Sequence, residues 1–363
     1  MAMPLAFLKF LARSILNAIG GGVAGDFAVE VLPEVARDVW KRGAREGSPE
    51  EVRAGLEAVA ALPPDEAARH ATRIAAEVAA GRPKAVQDAL AAYLTQVPAS
   101  IRRSLRQPVS GFREFSLILS IQKPDDLLPL LPPRMPRFKP GDRPPGVGDW
   151  ELVELLGLGG FGEVWKAQNA FFDEPVALKF CLDEQAARVL RNEAAVLRRV
   201  MKQGRHPGIV ALLDTYLNGD PPCLKYEYVP GCDLAGLIAE WHQESPGRAV
   251  AEAPRVLRDL SATAGHFHRL SPPIVHRDLK PSNVLVQRVA GTVRPRVADF
   301  GIGGLAAQQA LGRTWPGHTA ALTAALRGAC TPLYASPQQQ SGHDPDPRDD
   351  VYSLGVIWYQ MLT

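Results

Sequence analysis

The sequence predicts a mixed α+β protein, in which an all-α N-terminal region precedes a small β-rich lobe and a larger, mainly helical lobe. Three observations lead to this order. Up to about residue 122 the chain is rich in alanine and carries apolar residues at helical spacing. Proline is dense in residues 123–147, and from residue 148 short alternating segments surround several glycines. We therefore divide the 363-residue chain into a helical region (1–122), a proline-rich linker (123–147) and a third region (148–363).

Composition excludes several classes of protein. The net charge is +2 with 22% charged residues, so the charge balance gives no argument for a nucleic-acid partner. The cysteines are Cys181, Cys223, Cys232 and Cys330, and none of them forms a C-x-x-C pair. We therefore expect neither a structural zinc site nor a disulfide framework, and we expect a reducing, cytoplasmic location.

Helix boundaries are clearest between residues 48 and 97. Ser48, Pro49 and Glu51 predict a helix start, because serine caps, proline fits the first helical position and glutamate completes a capping box. Prolines 63–64 and the segment 81–83 then separate two further helices. The third helix carries one apolar stripe, which is more often core than binding site. The pattern predicts a helical bundle or a short helical repeat without catalytic chemistry of its own.

Residues 4–25 are rich in apolar side chains but are interrupted by Lys9 and Arg13. The uncharged run 14–25 is shorter than the roughly 20 residues that span a bilayer, so no transmembrane segment is expected. Two interpretations stay open. The segment forms an amphipathic helix that packs on its own domain, or it associates weakly with a membrane surface or with a partner protein.

The linker carries eight prolines between Pro124 and Pro145. Proline at this density disfavours helix and central strand, so we expect an extended spacer. A docking site for a proline-recognising module is the alternative.

A glycine-rich pattern, G-x-G-x-x-G-x-V, spans residues 157–164. Glycines allow the backbone to approach phosphates closely and to present N–H groups to them. Dinucleotide-binding folds use a similar pattern, but they need a helix that begins at the glycines. Residues 163–167 instead resemble a returning strand, which favours a flap over the phosphates of ATP.

Two charged residues follow the glycine-rich pattern, and one of them lies on an apolar strand, where a buried charge needs a partner of opposite sign. Lys179 ends a short apolar strand, and Glu193 lies on a predicted helix over residues 184–200. A buried lysine requires an anion. A pair between Lys179 and Glu193 would hold the amine toward the α- and β-phosphates.

The most specific stretch is residues 274–285, which place several polar side chains between apolar flanks. Asp278 is positioned to orient a substrate hydroxyl and accept its proton. Lys280 can neutralise the transferring phosphoryl group, and Asn283 offers a carbonyl oxygen to Mg²⁺. Asp299 opens a D-F-G tripeptide sixteen residues after Asn283 and can hold the same ion.

Residues 150–363 resemble a eukaryotic-type (Hanks-type) serine/threonine protein kinase, in a style similar to bacterial members. The resemblance implies the two-lobe kinase fold for 148–363, with ATP and Mg²⁺ as cofactors and protein serines and threonines as substrates. It implies that Lys179, Glu193, Asp278 and Lys280 are catalytic and that Asn283 and Asp299 hold the metal. The nucleotide-contacting residues that it implies are Leu156, Gly157, Leu158, Gly159, Gly160, Phe161, Gly162, Val164, Ala177, Lys179, Glu227, Tyr228 and Leu285.

Two departures from the family pattern follow. Residues 301–331 look long for an activation loop and contain Thr314, Thr319 and Thr323, which are candidates for autophosphorylation. The chain also stops thirteen residues after Asp350, so we expect an incomplete large lobe and a fragment of a longer protein. In that case Val356, Ile357, Trp358 and Leu362 should expose apolar surface.

Two functions are therefore open. The first is an active serine/threonine kinase, which is favoured because none of the six catalytic and metal positions is substituted. The alternative is a catalytically weak or inactive kinase-like scaffold that acts through its N-terminal helical region. The incomplete large lobe is what supports this alternative.

Overall fold

The computed structural model describes residues 3–19, 31–46, 49–105, 124–158, 162–182, 184–202, 206–244, 246–300, 333–341 and 343–363. These residues divide into two units. The first contains the described residues up to 142 together with 151–158 and 162–165. The second contains residues 143–150 and the described residues from 166 onward. The division of the chain at residues 122 and 147 stays a prediction.

Helices dominate the N-terminal part of the first unit, as the sequence predicts. Proline places two of their starts, because its fixed φ suits the first helical turn, where an N–H would be unpaired. The helices are α1 (Met3–Ala18), α2 (Leu32–Glu46), α3 (Pro49–Ala60), α4 (Pro64–Val78) and α5 (Lys84–Leu105).

Helix α1 turns its apolar side to the core of this unit. Leu8, Leu11 and Ile15 are fully buried, at the spacing of one helix face. Lys9 pairs with Glu77 of α4. Packing on its own domain is therefore the interpretation that the described residues support for this segment. No helix among them is both long enough and apolar enough to cross a membrane.

The proline-rich segment begins with a 3-10 helix, Pro124–Leu130. Its leucines at 127, 128 and 130, together with Leu131, are buried among the bundle helices, and the Tyr93 hydroxyl donates to the Pro132 carbonyl at 3.0 Å. The expected extended spacer is therefore wrong for residues 124–131. Burying a leucine contributes about 1.5–3 kcal/mol, which outweighs the low helix propensity of the neighbouring prolines in a short 3-10 turn.

Two strands complete the described part of the first unit: β1 (Glu151–Leu158) and β2 (Gly162–Asn169), whose last residues belong to the second unit. Residues 141 and 142 exchange backbone hydrogen bonds with Leu152 at 2.7 and 2.9 Å. The Gln96 side chain of α5 donates to the Leu155 carbonyl of β1 at 3.3 Å. The helical bundle is therefore joined to β1 by polar contacts as well as by the chain.

Glu163 of β2 is fully buried and accepts hydrogen bonds from the chain that precedes the strands. The Arg137 and Phe138 backbone N–H groups donate to its two carboxylate oxygens at 2.5 and 3.4 Å. The Trp165 indole N–H donates at 2.8 Å. Burial raises the pKa of Glu163, and these donors oppose the increase. The carboxylate thereby fixes residues 137–138 against β2.

In the second unit an antiparallel sheet contains β3 (Phe172–Cys181), β5 (Cys223–Glu227) and β4 (Leu212–Tyr216), in that order. The register places Ala177 opposite Tyr226 and Lys179 opposite Leu224. These four side chains therefore share one face, since directly opposed residues lie on the same side of a sheet. Helix α6 (Glu184–Lys202) packs against β3 and β4.

The larger part of the second unit is helical around a small sheet of β6 (Cys232–Asp233), β7 (Val284–Val289) and β8 (Thr292–Val297). Ala290 and Gly291 join β7 to β8 with φ of 49° and 75°, as a tight hairpin turn requires. The helices are α7 (Leu234–Glu244), α8 (Pro246–His268), α9 (Pro337–Gln340) and α10 (Pro347–Leu362).

One expectation about α10 is wrong. Ile357 is fully buried, because α10 packs against α8 with the face that also carries Leu354 and Met361. Val356 and Trp358 are half-buried, and Leu362 is 38% exposed. The spacing of three and four residues separates the buried positions from the exposed ones along the helix.

Replacing a leucine of the 3-10 helix tests its place in the core. Leu130→Ala should lower the free energy of unfolding by about 2–5 kcal/mol, because it leaves a cavity in the bundle. Val153→Ala, at a 38% exposed position of the same unit, is the control. Urea denaturation followed by circular dichroism measures both variants. Equal, small losses of the free energy of unfolding in the two variants would contradict the placement of Leu130 in the core.

Candidate active site

The glycine-rich segment lies where β1 ends and β2 begins. Leu156 is exposed and Leu158 is buried at the end of β1, while Gly162 and Val164 open β2. A side chain added at Gly157 would contact Val164 at 3.9 Å, so the two strands approach closely there. Gly159, Gly160 and Phe161 lie outside the described residues. The structure thus supplies the two strands of the predicted flap.

Lys179 lies between two carboxylates in the second unit. Its amine is 3.2 and 3.3 Å from the two oxygens of Glu193 and 2.6 Å from Asp299 Oδ1. Glu193 is 2% exposed and comes from α6, whereas Asp299 follows β8 by two residues. The predicted pair is present, and Asp299 joins it.

Burial and charge act in opposite directions on this cluster. Burial raises the pKa of Glu193 to about 7, and the Lys179 ammonium opposes that increase. Burial alone would lower the pKa of Lys179, but Asp299 and Glu193 outweigh it and hold that pKa above its ordinary value. Lys179 lowers the pKa of Asp299 against the effect of burial. The lysine is therefore a permanent cation, whereas Glu193 titrates near neutral pH.

Asp278 is held by two neighbours from its own loop. Lys280 Nζ is 2.9 Å from Asp278 Oδ2, and the Asn283 amide nitrogen donates to Asp278 Oδ2 at 2.9 Å and to its backbone carbonyl at 2.8 Å. Asp278 is 9% exposed. Because Asn283 uses its nitrogen for Asp278, its amide oxygen is the atom that can serve a metal.

His276 connects this loop to the strand that leads to Asp299. The Asp278 backbone N–H donates to His276 Nδ1 at 3.3 Å, so the proton is on Nε2, which donates to the Ala298 carbonyl at 2.9 Å. Phe300 packs edge-to-face on Phe267 of α8 with ring centroids 5.1 Å apart. These contacts fix the chain on both sides of Asp299.

Asp350 of α10 binds the backbone of the loop that carries Asp278, a contact that sequence reasoning missed. It is fully buried, and its two oxygens accept the backbone N–H groups of Arg277 and His276, both at 2.8 Å. His268 Nε2 lies 2.7 Å from it. The sequence signal for Asp350 was an acidic residue in the first turn of an apolar helix. The helix dipole alone favours an acidic residue there, so this signal did not indicate a further role.

Glu227 and Tyr228 lie at the end of β5. The Glu227 carboxylate accepts the Ala211 N–H at 2.6 Å and the Arg296 guanidinium of β8 at 3.0 Å. Lys166 stands 4.7 Å from the ring centre of Tyr228. Sequence reasoning missed Arg296, whose role depends on a partner 69 residues away.

The remaining predicted positions divide into described and undescribed ones. Ala177 and Leu285 are half-buried on β3 and β7, in the second unit. The proposed phosphorylation sites Thr314, Thr319 and Thr323 lie outside the described residues. Arg277, which directly precedes Asp278, is 8% exposed and donates to the His343 carbonyl at 3.2 Å.

The donor set of this unit fits Mg²⁺ rather than a transition metal. Asp299 and Asn283 offer hard oxygen ligands, and Mg²⁺ in phosphoryl-transfer sites takes one or two such groups together with phosphate oxygens. Among the described residues, no group of three or more His, Cys, Asp or Glu side chains is placed to hold a metal ion. The phosphates of a bound nucleotide would therefore have to complete the coordination.

The family assignment follows from comparison with known proteins. Residues 150–363 match the protein kinase domain family. This is more than half of the chain, which therefore belongs to that family. The fold class predicted from the sequence is confirmed: a β-sheet part and helical parts of the kinase type, with helices at the N-terminus.

The similar proteins are bacterial serine/threonine kinases. The chain is 33% identical over 221 residues to serine/threonine-protein kinase pkn2 of Myxococcus xanthus, covering 60% of this chain and 24% of that protein. It is 33% identical over 227 residues to PknB of Mycolicibacterium smegmatis, covering 59% of this chain and 32% of that protein. It is 36% identical over 222 residues to the probable serine/threonine-protein kinase SCO3848 of Streptomyces coelicolor, covering 60% of this chain and 30% of that protein. The chain thus spans about a quarter to a third of the length of these relatives.

The Glu193 carboxyl should titrate with a midpoint near pH 7. Above that pH it is ionised and holds Lys179, and below it the charge is lost, so any activity that needs the pair should rise from pH 6 to pH 8. Carbon NMR of side-chain-labelled glutamate measures the midpoint, and the Glu193→Gln spectrum identifies the resonance. A midpoint below pH 5 would contradict this assignment.

Asp350→Asn should destabilise the loop around Asp278. An amide has one acceptor oxygen, so one of the two buried N–H groups of residues 276 and 277 loses its partner, at a cost of about 1–3 kcal/mol. Thermal unfolding measures the loss, with Asp344→Asn at an exposed position as the control. An unchanged melting temperature would show that Asp350 does not hold the loop.

Proposed function

We propose that the protein is a serine/threonine kinase that transfers the γ-phosphoryl group of ATP to serine or threonine hydroxyls of protein substrates. One observation carries the proposal. Asp278 is held by Lys280 and Asn283, and within the same unit Lys179 is held by Glu193 and Asp299. Phosphoryl transfer needs little covalent chemistry from a protein and depends on positioning and charge, which these two clusters supply.

Asp278 is the proposed base. The substrate hydroxyl oxygen forms a bond to the γ-phosphorus while the bond from that phosphorus to the bridging oxygen of ADP breaks. The hydroxyl proton passes to the Asp278 carboxylate. Lys280 lies 2.9 Å from the same carboxylate and offers its ammonium to the transferring group. The hydrogen bond from Asn283 fixes the carboxylate orientation.

Lys179 is proposed to direct its ammonium to the α- and β-phosphates, with Glu193 as the anion that stabilises the charge. Asn283 and Asp299 would hold Mg²⁺, which would supply positive charge to offset the negative charge of the phosphates. The nucleotide contacts of Leu156, Gly157, Leu158, Gly162, Val164, Ala177, Glu227, Tyr228 and Leu285 stay predictions.

The substrate class rests on Lys280 and on the relatives. A lysine two residues after the catalytic aspartate is typical of the serine/threonine branch, and the matching relatives are named as serine/threonine kinases. A cytoplasmic location is also proposed, and the buried free thiols of Cys181 and Cys223 support it. A partner protein at the helical region and a weak membrane contact through residues 4–25 stay predictions.

Transfer of labelled γ-phosphate from Mg-ATP to serine- and threonine-containing peptides tests the proposal in the full-length gene product. Asp278→Asn should lower kcat by about 10²–10⁴-fold, because it removes the proton acceptor but keeps the shape of the side chain. Asp344→Asn is the matched control at an exposed position.

No transfer by the unaltered protein, or equal transfer by Asp278→Asn, would overturn the assignment. That outcome would favour the alternative of a kinase-like scaffold that acts through its helical region. Transfer to tyrosine peptides in preference to serine and threonine peptides would overturn the substrate class alone.

A further inference from the structure

The phenol of Tyr226 contacts the carboxylate that pairs with Lys179. Its hydroxyl donates to Glu193 Oε1 at 2.6 Å, the same oxygen that lies 3.3 Å from Lys179 Nζ. Tyr226 is 7% exposed and Glu193 is 2% exposed. Hydrogen bonds to charged groups are stronger than neutral ones, and in a buried site they are not weakened by water.

The sheet register explains why the two donors meet at one acceptor. Ala177 lies opposite Tyr226 and Lys179 lies opposite Leu224, so Lys179 and Tyr226 are diagonal neighbours on one face. Helix α6 packs against β3 and brings Glu193 to them. Three elements, β3, β5 and α6, therefore converge on one carboxylate.

The tyrosine acts as a donor throughout the working pH range. Burial, together with the neighbouring Glu193 charge, raises its pKa well above the ordinary value, so the phenol keeps its proton. The hydrogen bond in turn favours the ionised form of Glu193. Loss of the hydroxyl would leave Lys179 as the remaining partner of this carboxylate among the described residues and would loosen its orientation toward the amine.

We propose that Tyr226 is a positioning residue for phosphoryl transfer, whose hydroxyl holds Glu193 in the orientation that directs Lys179 toward the nucleotide phosphates. The inference rests on the proposed function and adds a residue to it. Tyr226 has no contact with the reacting atoms in this role. It acts through Glu193, and its effect therefore depends on the presence of that carboxylate.

A double-mutant cycle tests the proposal. Tyr226→Phe removes one oxygen and keeps the ring, and it should lower kcat/KM about tenfold, equivalent to about 1.4 kcal/mol. In the Glu193→Gln background the amide can still accept from the phenol but no longer supplies a charge for Lys179. The same change should there alter kcat/KM by less than about twofold.

Tyr216→Phe is the matched control, because Tyr216 lies on the neighbouring strand β4 and its hydroxyl binds Lys225 at 3.1 Å rather than Glu193. It should leave kcat/KM unchanged. Thermal unfolding of every variant separates a loss of fold from a loss of position. Equal losses in both backgrounds, or no loss with Glu193 present, would overturn the role of Tyr226.

Failure of the proposed function gives a different result. If the unaltered protein transfers no phosphate, the same cycle is measured by the dissociation constant of Mg-ATP. Weaker binding of Mg-ATP by Tyr226→Phe with Glu193 present, and no weakening in the Glu193→Gln background, would support the positioning role without transfer. Unchanged binding in both backgrounds would overturn it.

Discussion

The ammonium group of Lys179, whose side chain is 17% exposed, determines much of the arrangement in the second unit. Lys179 would be too costly to bury alone, because an isolated charge loses its hydration in the protein interior. Glu193 on α6 and Asp299 after β8 offset that cost from positions 14 and 120 residues further along the sequence. Moving either element away would leave Lys179 with a single carboxylate partner. The pairing therefore sets the position of α6 on the sheet and of the chain that follows β8.

A second constraint acts on the backbone around the loop that carries Asp278. Arg277 and Asp299 have φ of 63° and 58°, a conformation that costs residues other than glycine about 1–3 kcal/mol. Asp350 accepts the N–H of Arg277, and Lys179 binds the side chain of Asp299, so strong contacts offset the strain at both positions. Arg277 is adjacent to Asp278, and Asp299 is itself a proposed metal ligand. The strained backbone therefore lies next to the proposed base and at the proposed metal site.

Sequence reasoning identified residues that act within one short segment, and it missed residues whose partners are distant in the sequence. Asp278 and Asn283 are five residues apart, so their chemistry was visible in one motif, and Pro49 and Pro64 marked helix starts for local reasons. Asp350 and Tyr226 were missed, since each acts on a partner at least 33 residues away. The proline-rich segment was mispredicted because proline content was weighed without the four leucines that bury themselves there. The packing of these leucines determined the structure of the segment, and such packing cannot be inferred from a local sequence pattern.

The carboxylate of Glu163 bears on where this protein can be cut for expression. Similarity to the kinase family begins at residue 150, but the backbone donors to Glu163 come from residues 137 and 138. A fragment that starts at residue 150 would keep the buried anion and lose both of those donors, which is a costly combination. An expression boundary chosen from family similarity alone would therefore remove part of the folded unit. A start that keeps helices α1 to α5, among which the leucines of residues 127–131 are buried, would retain it.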